Sequence, residues 1–391
     1  MRITTVIGSV RCGGAERVCV NLANAWAAGG RRVTLLTVAQ RSAAPAYAVD
    51  PRVEVRDAGW RREPRPDELE TAALAPVLRG IYRTGRLELF DQLSCILILR
   101  RAIAETSPDV VVSHIDLTNI RVLAALEGTR VPVIACEHCD ASRVPLERYQ
   151  QAREAFYRRA RAVVAPHPHI ADWLARRGAQ ACAIHSPLSA PPTPGRERSG
   201  GPRQRGARRR LVSLSRLAPE KRLDLLVRAF ARIAGDFPEW ELDVYGDGPL
   251  RARLTRLAEE LAPGRVRFRS VADDAYAVLG GADLFVSTSW VESFGCAIWE
   301  ALACGVPVVV TDCGVPVRSL VRDGVDGLLV REGGAAALAS ALASLMGDDA
   351  ARAAMSERAP EVLGRFSMRS ALRAWDALLD DAARPGAGKT A

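Results

Sequence analysis

Short apolar runs alternate with stretches of helical spacing from one end of the chain to the other. The first run, Ile3 to Ile7, leads through Arg11-Cys12-Gly13-Gly14 into an amphipathic segment, about Ala15 to Ala27, which Gly29-Gly30 stops before a second run, Arg32 to Val38. Such a succession reads as a βαβ unit with its glycine punctuation in place. Val110 to Ser113, Val131 to Ala135 and Ala162 to Ala165 continue the strand series. The pattern breaks at 191–202, where proline, glycine and arginine dominate. It resumes with strands at Leu211 to Leu214, Glu241 to Tyr245, Val266 to Phe268, Ala282 to Ser287 and Val306 to Val310. Helical spacing separates them, over about Leu223 to Ile233, Pro249 to Leu261 and the segment holding Glu300. The expectation is an α/β chain of two doubly wound parallel-sheet domains: residues 1–190, a linker or mobile loop at 191–210, and residues 211–365. A final helix is expected at about 366–380.

Composition adds limits. At 391 residues with 48% hydrophobic and 25% charged, the chain can bury two ordinary cores. Its strongest apolar run, Leu93 to Leu99, is far short of the roughly 20 residues of a membrane span. The first residues read as a strand, not a signal peptide, so a cytoplasmic location is expected. Nine cysteines, odd in number and mostly inside apolar runs, read as reduced core thiols. Cys136-Glu137-His138-Cys139 lacks a second CxxC or HxxxH and reads as a buried strand end, so no metal is expected.

The net charge of +9 is uneven: 26 arginines oppose 19 acids in residues 1–190, whereas 21 cations oppose 25 acids in residues 211–391. No aromatic-rich basic motif accompanies it, which argues against nucleic acid. The arginines at 52, 56, 61, 62 and 65 make an anionic membrane surface a candidate partner of the first domain.

Open parallel sheets bind ligands beyond the carboxyl ends of their strands. The polar residues expected there are Gly13, Gly14, His114, Glu137 and His138 in the first half. In the second half they are Arg216, Gly246, Asp247, Gly248, Glu292, Thr311 and Asp312. Gly13-Gly14 lacks the dinucleotide G-x-G-x-x-G spacing but lets an anion approach a helix N-terminus. Arg216 and Lys221 stand five apart after a strand, and Lys221 is one of only two lysines in the chain. Such a pair grips phosphate, Arg through parallel N–H bonds and Lys as a compact charge. In Val291-Glu292-Ser293-Phe294-Gly295-Cys296-Ala297-Ile298-Trp299-Glu300, a helix starting near 293–295 aims its N–H groups at the same place and sets Glu300 about two turns in. The two carboxylates serve better as acceptors for sugar hydroxyls than as a water-activating pair. A capping glutamate with a solvated helix glutamate is the plainer reading.

The series Gly13-Gly14-Ala15-Glu16-Arg17, Ser215-Arg216-Leu217 with Glu220-Lys221, Gly246-Asp247-Gly248-Pro249, Glu292 to Ala301 and Cys304-Gly305-Val306-Pro307 resembles the retaining glycosyltransferases of family four, which have the GT-B architecture. The resemblance implies two Rossmann-like domains facing across a cleft, acceptor on the first and nucleotide-sugar donor, usually a UDP-sugar, on the second. It implies that Arg216 and Lys221 hold the diphosphate and Glu300 the ribose. Glu292 with Ser293, Phe294 and Gly295 would hold the sugar, Gly246 and Asp247 would line the donor site, and Gly14 would approach the diphosphate. The family's active-site histidine falls on His114 or His138. Arg222 stands where the family often has glycine, and Arg269-Ser270 replaces a common glycine near the base.

The implied activity is transfer of a hexosyl or N-acetylhexosaminyl group, with retention, to a saccharide or lipid-linked saccharide in glycan biosynthesis. It needs no cofactor, and no DxD sequence is present for a metal. The hard step is departure of the diphosphate, whose growing charge the cations and helix N-termini would stabilise. Alternatives are a nucleotide-sugar epimerase of the same architecture, a sugar phosphorylase and a non-catalytic nucleotide-sugar-binding protein. A phosphorylase should carry a late cofactor lysine, which only Lys389 could supply.

Overall fold

The structure, a computed structural model, describes residues 1–11, 13–40, 45–60, 71–191, 208–331 and 333–384. Its contacts divide the chain into two units, Met1–Pro187 with the segment from Met368 onward, and Leu188–Ser367. Of the expected linker, residues 192–207 lie outside the described residues, as do Arg61, Arg62 and Arg65.

The first unit holds a sheet of seven strands: β1 (Arg2–Ile7), β2 (Arg32–Thr37), β3 (Glu54–Asp57), β4 (Val110–His114), β5 (Val133–Cys136), β6 (Ala162–Ala165) and β7 (Ala181–Ala183). Their order is β3-β2-β1-β4-β5-β6-β7, and the pairs are parallel. The second unit has β8 (Arg209–Leu214), β9 (Trp240–Tyr245), β10 (Val266–Arg269), β11 (Leu284–Ser287), β12 (Val308–Thr311) and β13 (Gly327–Val330), ordered β10-β9-β8-β11-β12-β13. Central strands such as β4 are buried throughout, as a parallel sheet covered on both faces requires. The covering helices follow from spacing: in Leu223–Ile233, Leu223, Leu226, Val227, Phe230 and Ile233 form one buried stripe.

Each sheet reverses its winding once, between β1 and β4 and between β8 and β11. These are the switch points where crossovers diverge and a crevice opens.

Three expectations are corrected. Arg209 and Arg210, assigned to the linker, are the first residues of β8, paired with Trp240 and Glu241. The last helix is Met368–Ala382, and Phe366 instead sets its ring edge-on to Phe294 in the second unit, centroids 5.6 Å apart. The strands β3, β7 and β13 were not expected at all. The last helix completes the first unit: Trp375 meets Trp26 edge-on at 5.5 Å, Asp376 pairs with Arg31 at 2.6 Å, and Asp381 with Arg161.

Candidate active site

Candidate residues gather at the switch point of each sheet. In the first unit the chain leaves β1 and enters the helix Gly14–Ala28 through Gly13. The Tyr47 hydroxyl accepts from the Gly13 N–H at 3.1 Å and donates to the Gly13 carbonyl at 3.0 Å. Sequence spacing offers no sign of Tyr47, which lies outside any motif.

His114 ends β4 and His138 lies two residues past β5. His114 is fully buried, with Nε2 3.0 Å from the Thr5 hydroxyl and Nδ1 3.0 Å from His138 Nε2. Its two ring nitrogens are therefore both used within the protein, whereas His138 is only half-buried. Burial pushes His138 down to about 4, and burial with the adjacent His138 holds His114 well below the usual range. Both rings are neutral at pH 7. Thr5 is a polar residue inside an apolar strand, and that misfit was the one signal that could have found it.

Below the histidines lies Glu137, which is 2% exposed. Its carboxylate accepts from the His138 and Cys139 N–H groups and the Tyr157 hydroxyl, and stands 3.7 Å from Arg153. Burial, then Asp116, raises its pKa against the pull of Arg153. Asp116, Glu137 and Cys139 bring ligand-type atoms within 4.8 Å of one another. The Glu137 oxygens, however, are committed to holding the turn after β5 and the side chain of Tyr157. Cys136 and Cys19 are buried, and burial pushes the Cys19 thiol up to about 12, so both serve as core packing.

The second unit is built from ion pairs. Arg216 follows β8 and pairs with Glu220 at 2.6 Å, with 67% of its side chain exposed. Lys221 meets Glu292 at 2.6 Å, and fewer than one fifth of either side chain is exposed. Burial works to lower the Lys221 pKa, but Glu292 and Glu220 outweigh it and hold the ammonium above its usual range. Ser289 donates to the same Glu292 oxygen at 2.7 Å. The Thr288 hydroxyl donates to the Lys221 and Arg222 carbonyls, and the Trp290 N–H to the Glu220 carbonyl. The loop after β11 is thus laced to the turn after β8.

Arg222 adopts φ 47° and ψ 41°, a left-handed conformation that L residues disfavour. That geometry accounts for a glycine preference at this position. Gly246 and Gly248 answer a different need. A Cβ at 246 would stand 1.9 Å from the Ser215 carbonyl oxygen and one at 248 would stand 2.5 Å from that of Leu217. These glycines let the turn after β9 lie against the turn after β8. Asp247 is mostly exposed and pairs with Arg251 at 3.0 Å.

The helix after β11 runs Cys296–Ala303, capped by Gly295 at φ 90°, so Ser293 and Phe294 precede it. Glu300 lies little more than one turn in, not two, and is 4% exposed. The solvated-glutamate reading therefore fails: this carboxylate is packed inside the unit. Phe294 is likewise 4% exposed. Of the membrane-facing arginines proposed from sequence, Arg52 and Arg56 are neutralised by Asp50 and Glu54 at 2.7 Å each. Among the described residues no helix is long and apolar enough to cross a membrane.

Two family models match the chain. One described as Glycosyltransferase Family 4 covers residues 12–186, and one described as Glycosyl transferases group 1 covers residues 199–362. LpsE of Rhizobium meliloti, a lipopolysaccharide core biosynthesis glycosyltransferase, is 36% identical over 171 residues, 43% of this chain and 49% of that protein. An exopolysaccharide phosphotransferase of Streptomyces coelicolor is 32% identical over 180 residues, 44% of this chain and 18% of that protein. The chain thus spans at most about half the length of these curated relatives. Among solved structures, a TarM variant of S. aureus in complex with fondaparinux, alpha-GlcNAc-glycerol and UDP superposes with a TM-score of 0.76 at 12% identity, covering 97% of this chain and 99% of that one. Anabaena HepE in complex with UDP and glucose gives 0.72 at 19% identity, covering 97% and 100%. These likenesses show the GT-B fold.

Proposed function

Since the chain belongs to the glycosyltransferases of the group 1 and family 4 type, we propose that it moves a sugar from a nucleotide diphosphate sugar, a UDP-sugar, to a saccharide or lipid-linked saccharide. The observation that carries this reading is the ionic switch point of the second sheet. There Arg216 and Lys221 follow β8, the helix Cys296–Ala303 follows the neighbouring β11, and each cation is held by a carboxylate, Glu220 or Glu292, that a diphosphate would displace; Glu292 and Glu300 are the proposed acceptors for hydroxyls. The UDP bound by TarM and HepE supports the choice of donor.

Departure of the diphosphate is the costly step. Arg216 and Lys221 stabilise the charge that grows on it, Glu300 holds the ribose, and Glu292 with Ser293, Phe294 and Gly295 orients the sugar. Gly246 and Asp247 edge the donor site, and Gly14 approaches the diphosphate at the helix N-terminus, with Gly13, whose N–H is taken by Tyr47, allowing the close approach of the backbone. The acceptor hydroxyl attacks on the face the diphosphate leaves, its proton passing to the departing phosphate oxygen, so the anomeric configuration is retained without a metal. Of the two histidines, His138 meets substrate.

Incubation with a panel of nucleotide sugars and glycan acceptors, read by NMR of the anomeric proton with and without chelator, tests this. Release of the nucleotide with an α-linked product from an α-linked donor is the expected result; inversion, or dependence on a divalent ion, would refute the mechanism. The first unit is further proposed to take its acceptor from an anionic membrane surface. Co-sedimentation should then require anionic lipid and weaken as salt shortens the Debye length.

A further inference from the structure

Arg222 breaks three local rules at once. Its backbone is left-handed, at φ 47° and ψ 41°, where glycine carries no steric cost and a residue with a Cβ does. It stands at the N-cap of the helix Leu223–Ile233, yet its side chain caps nothing, where serine, threonine, asparagine or aspartate would accept from a helical N–H. It also sets a cation at the positive end of the helix dipole, the end that favours anions. The backbone is pinned in this state. The Arg222 N–H donates to the Pro219 carbonyl at 3.1 Å, and the Arg222 carbonyl accepts from the Leu225 N–H at 3.0 Å and the Thr288 hydroxyl at 3.1 Å. Glycine would keep each of these bonds without the steric and dipole costs.

Nothing inside the fold offsets those costs. The side chain is exposed, and among the described residues its guanidinium has neither an ion pair nor a hydrogen bond. The other two cations of the same turn differ: Arg216 is matched by Glu220 and Lys221 by Glu292, both at 2.6 Å. A diphosphate that displaced these carboxylates would leave them beside the site, so the two pairs together bring it no net charge. Arg222 is the cation of this turn without an acid. Local rules broken without a gain inside the fold point to function.

We infer that Arg222 gives the donor site its net positive charge: it attracts the nucleotide diphosphate to the turn after β8 through its field, while Arg216 and Lys221 make the close contacts. This rests on the proposed reading of that turn as the nucleotide-diphosphate site. It also resolves the misfit, because negative charge brought near the helix N-terminus offsets the cation placed there.

The test is calorimetric titration of the whole protein with UDP at low and high salt. Arg222→Gln should weaken binding by about fivefold at low salt, the Coulomb effect of one charge near the phosphates but not against them. The difference from wild type should vanish in about 1 M salt, where the Debye length is only about 3 Å. Arg222→Lys, which keeps the charge, should bind as wild type does at both salts. Arg222→Gly should lose affinity like Arg222→Gln while melting higher than wild type, which separates the charge from the fold. Unchanged UDP affinity in Arg222→Gln at low salt overturns the inference, and so does a loss that persists at high salt or is shared by Arg222→Lys. A wild type that binds none of UDP, ADP and GDP refutes the donor reading itself and the inference with it, whereas wild-type binding with an unaffected Arg222→Gln refutes the inference alone.

Discussion

The two switch points solve opposite electrostatic problems with the same topology. Along β1 and after β4 and β5 the first unit gathers buried Thr5, His114 and Glu137 with half-buried His138, and burial favours the neutral form of each titratable group among them. After β8 and β11 the second unit gathers Arg216, Glu220, Lys221 and Glu292 as ions in two pairs. A neutral, hydrogen-bonding crevice suits uncharged hydroxyls, and an ionic one suits a diphosphate that gains charge as it leaves. Charge, more than fold, separates the roles proposed for the two units.

Removing the charge from the ionic side should have the largest effect. Lys221→Ala and Arg216→Ala should each lower kcat by about a hundredfold, on the order of 3 kcal/mol of transition-state stabilisation. They should differ in melting temperature. Arg216 sits in an exposed pair of little worth, so its loss leaves Tm nearly unchanged. Losing Lys221 strands the mostly buried Glu292 and lowers Tm. Full activity in either variant would end the contrast.

The neutral side is tested with acid. The folded pKa of His138 lies below the unfolded value, so between about 6.5 and 4 the unfolded chain binds more protons and stability falls as pH falls. Glu137 is shifted the other way: the folded chain holds its proton to higher pH, which adds stability as pH falls over the same range. Glu137→Gln removes that compensation. From pH 7 to pH 5 it should lose up to about 2 kcal/mol more than wild type, read from denaturant melts at each pH. An equal loss would mean that Glu137 is ionised and the first crevice is not neutral.

A smaller effect separates hydroxyl binding from acid–base chemistry. Glu300→Gln keeps an acceptor oxygen and should raise the donor's KM by about tenfold, a charged-to-neutral hydrogen-bond difference. No limb of the pH–rate profile should vanish with it; a lost limb would restore a general acid or base role. Smallest of all, Arg222→Gly relieves a left-handed backbone beneath the Lys221 turn and should stabilise the protein by about 1 kcal/mol. Unchanged or lower stability would show that the Arg222 side chain contributes more than its backbone costs.

Much of this was legible in the sequence, for physical reasons that vary by position. Buried parallel strands such as β1 and β8 announce themselves as apolar runs. The strand β3, Glu54-Val55-Arg56-Asp57, is an edge with little burial, and β13 opens on Gly327, so neither carries that signal. Glu292 and Glu300 stand out by local spacing. The contacts that define the sites do not, because Lys221 meets Glu292 across 71 residues and His114 meets His138 across 24, and only the sheet order brings them together. Burial of Glu300 was likewise invisible in a pattern where glutamate ordinarily marks a wet helix face.

The helix Met368–Ala382 has a consequence for synthesis. Because it packs Trp375 on Trp26 and ties Asp376 and Asp381 to Arg31 and Arg161, the unit begun first by the ribosome is finished last. The whole of Leu188–Ser367 emerges while Trp26 still lacks its cover, so the later unit can reach its native state ahead of the earlier one. A nascent chain arrested before residue 368 should therefore present a protease-resistant second unit behind a first unit that is still open to cleavage, the reverse of the order in which their residues were made.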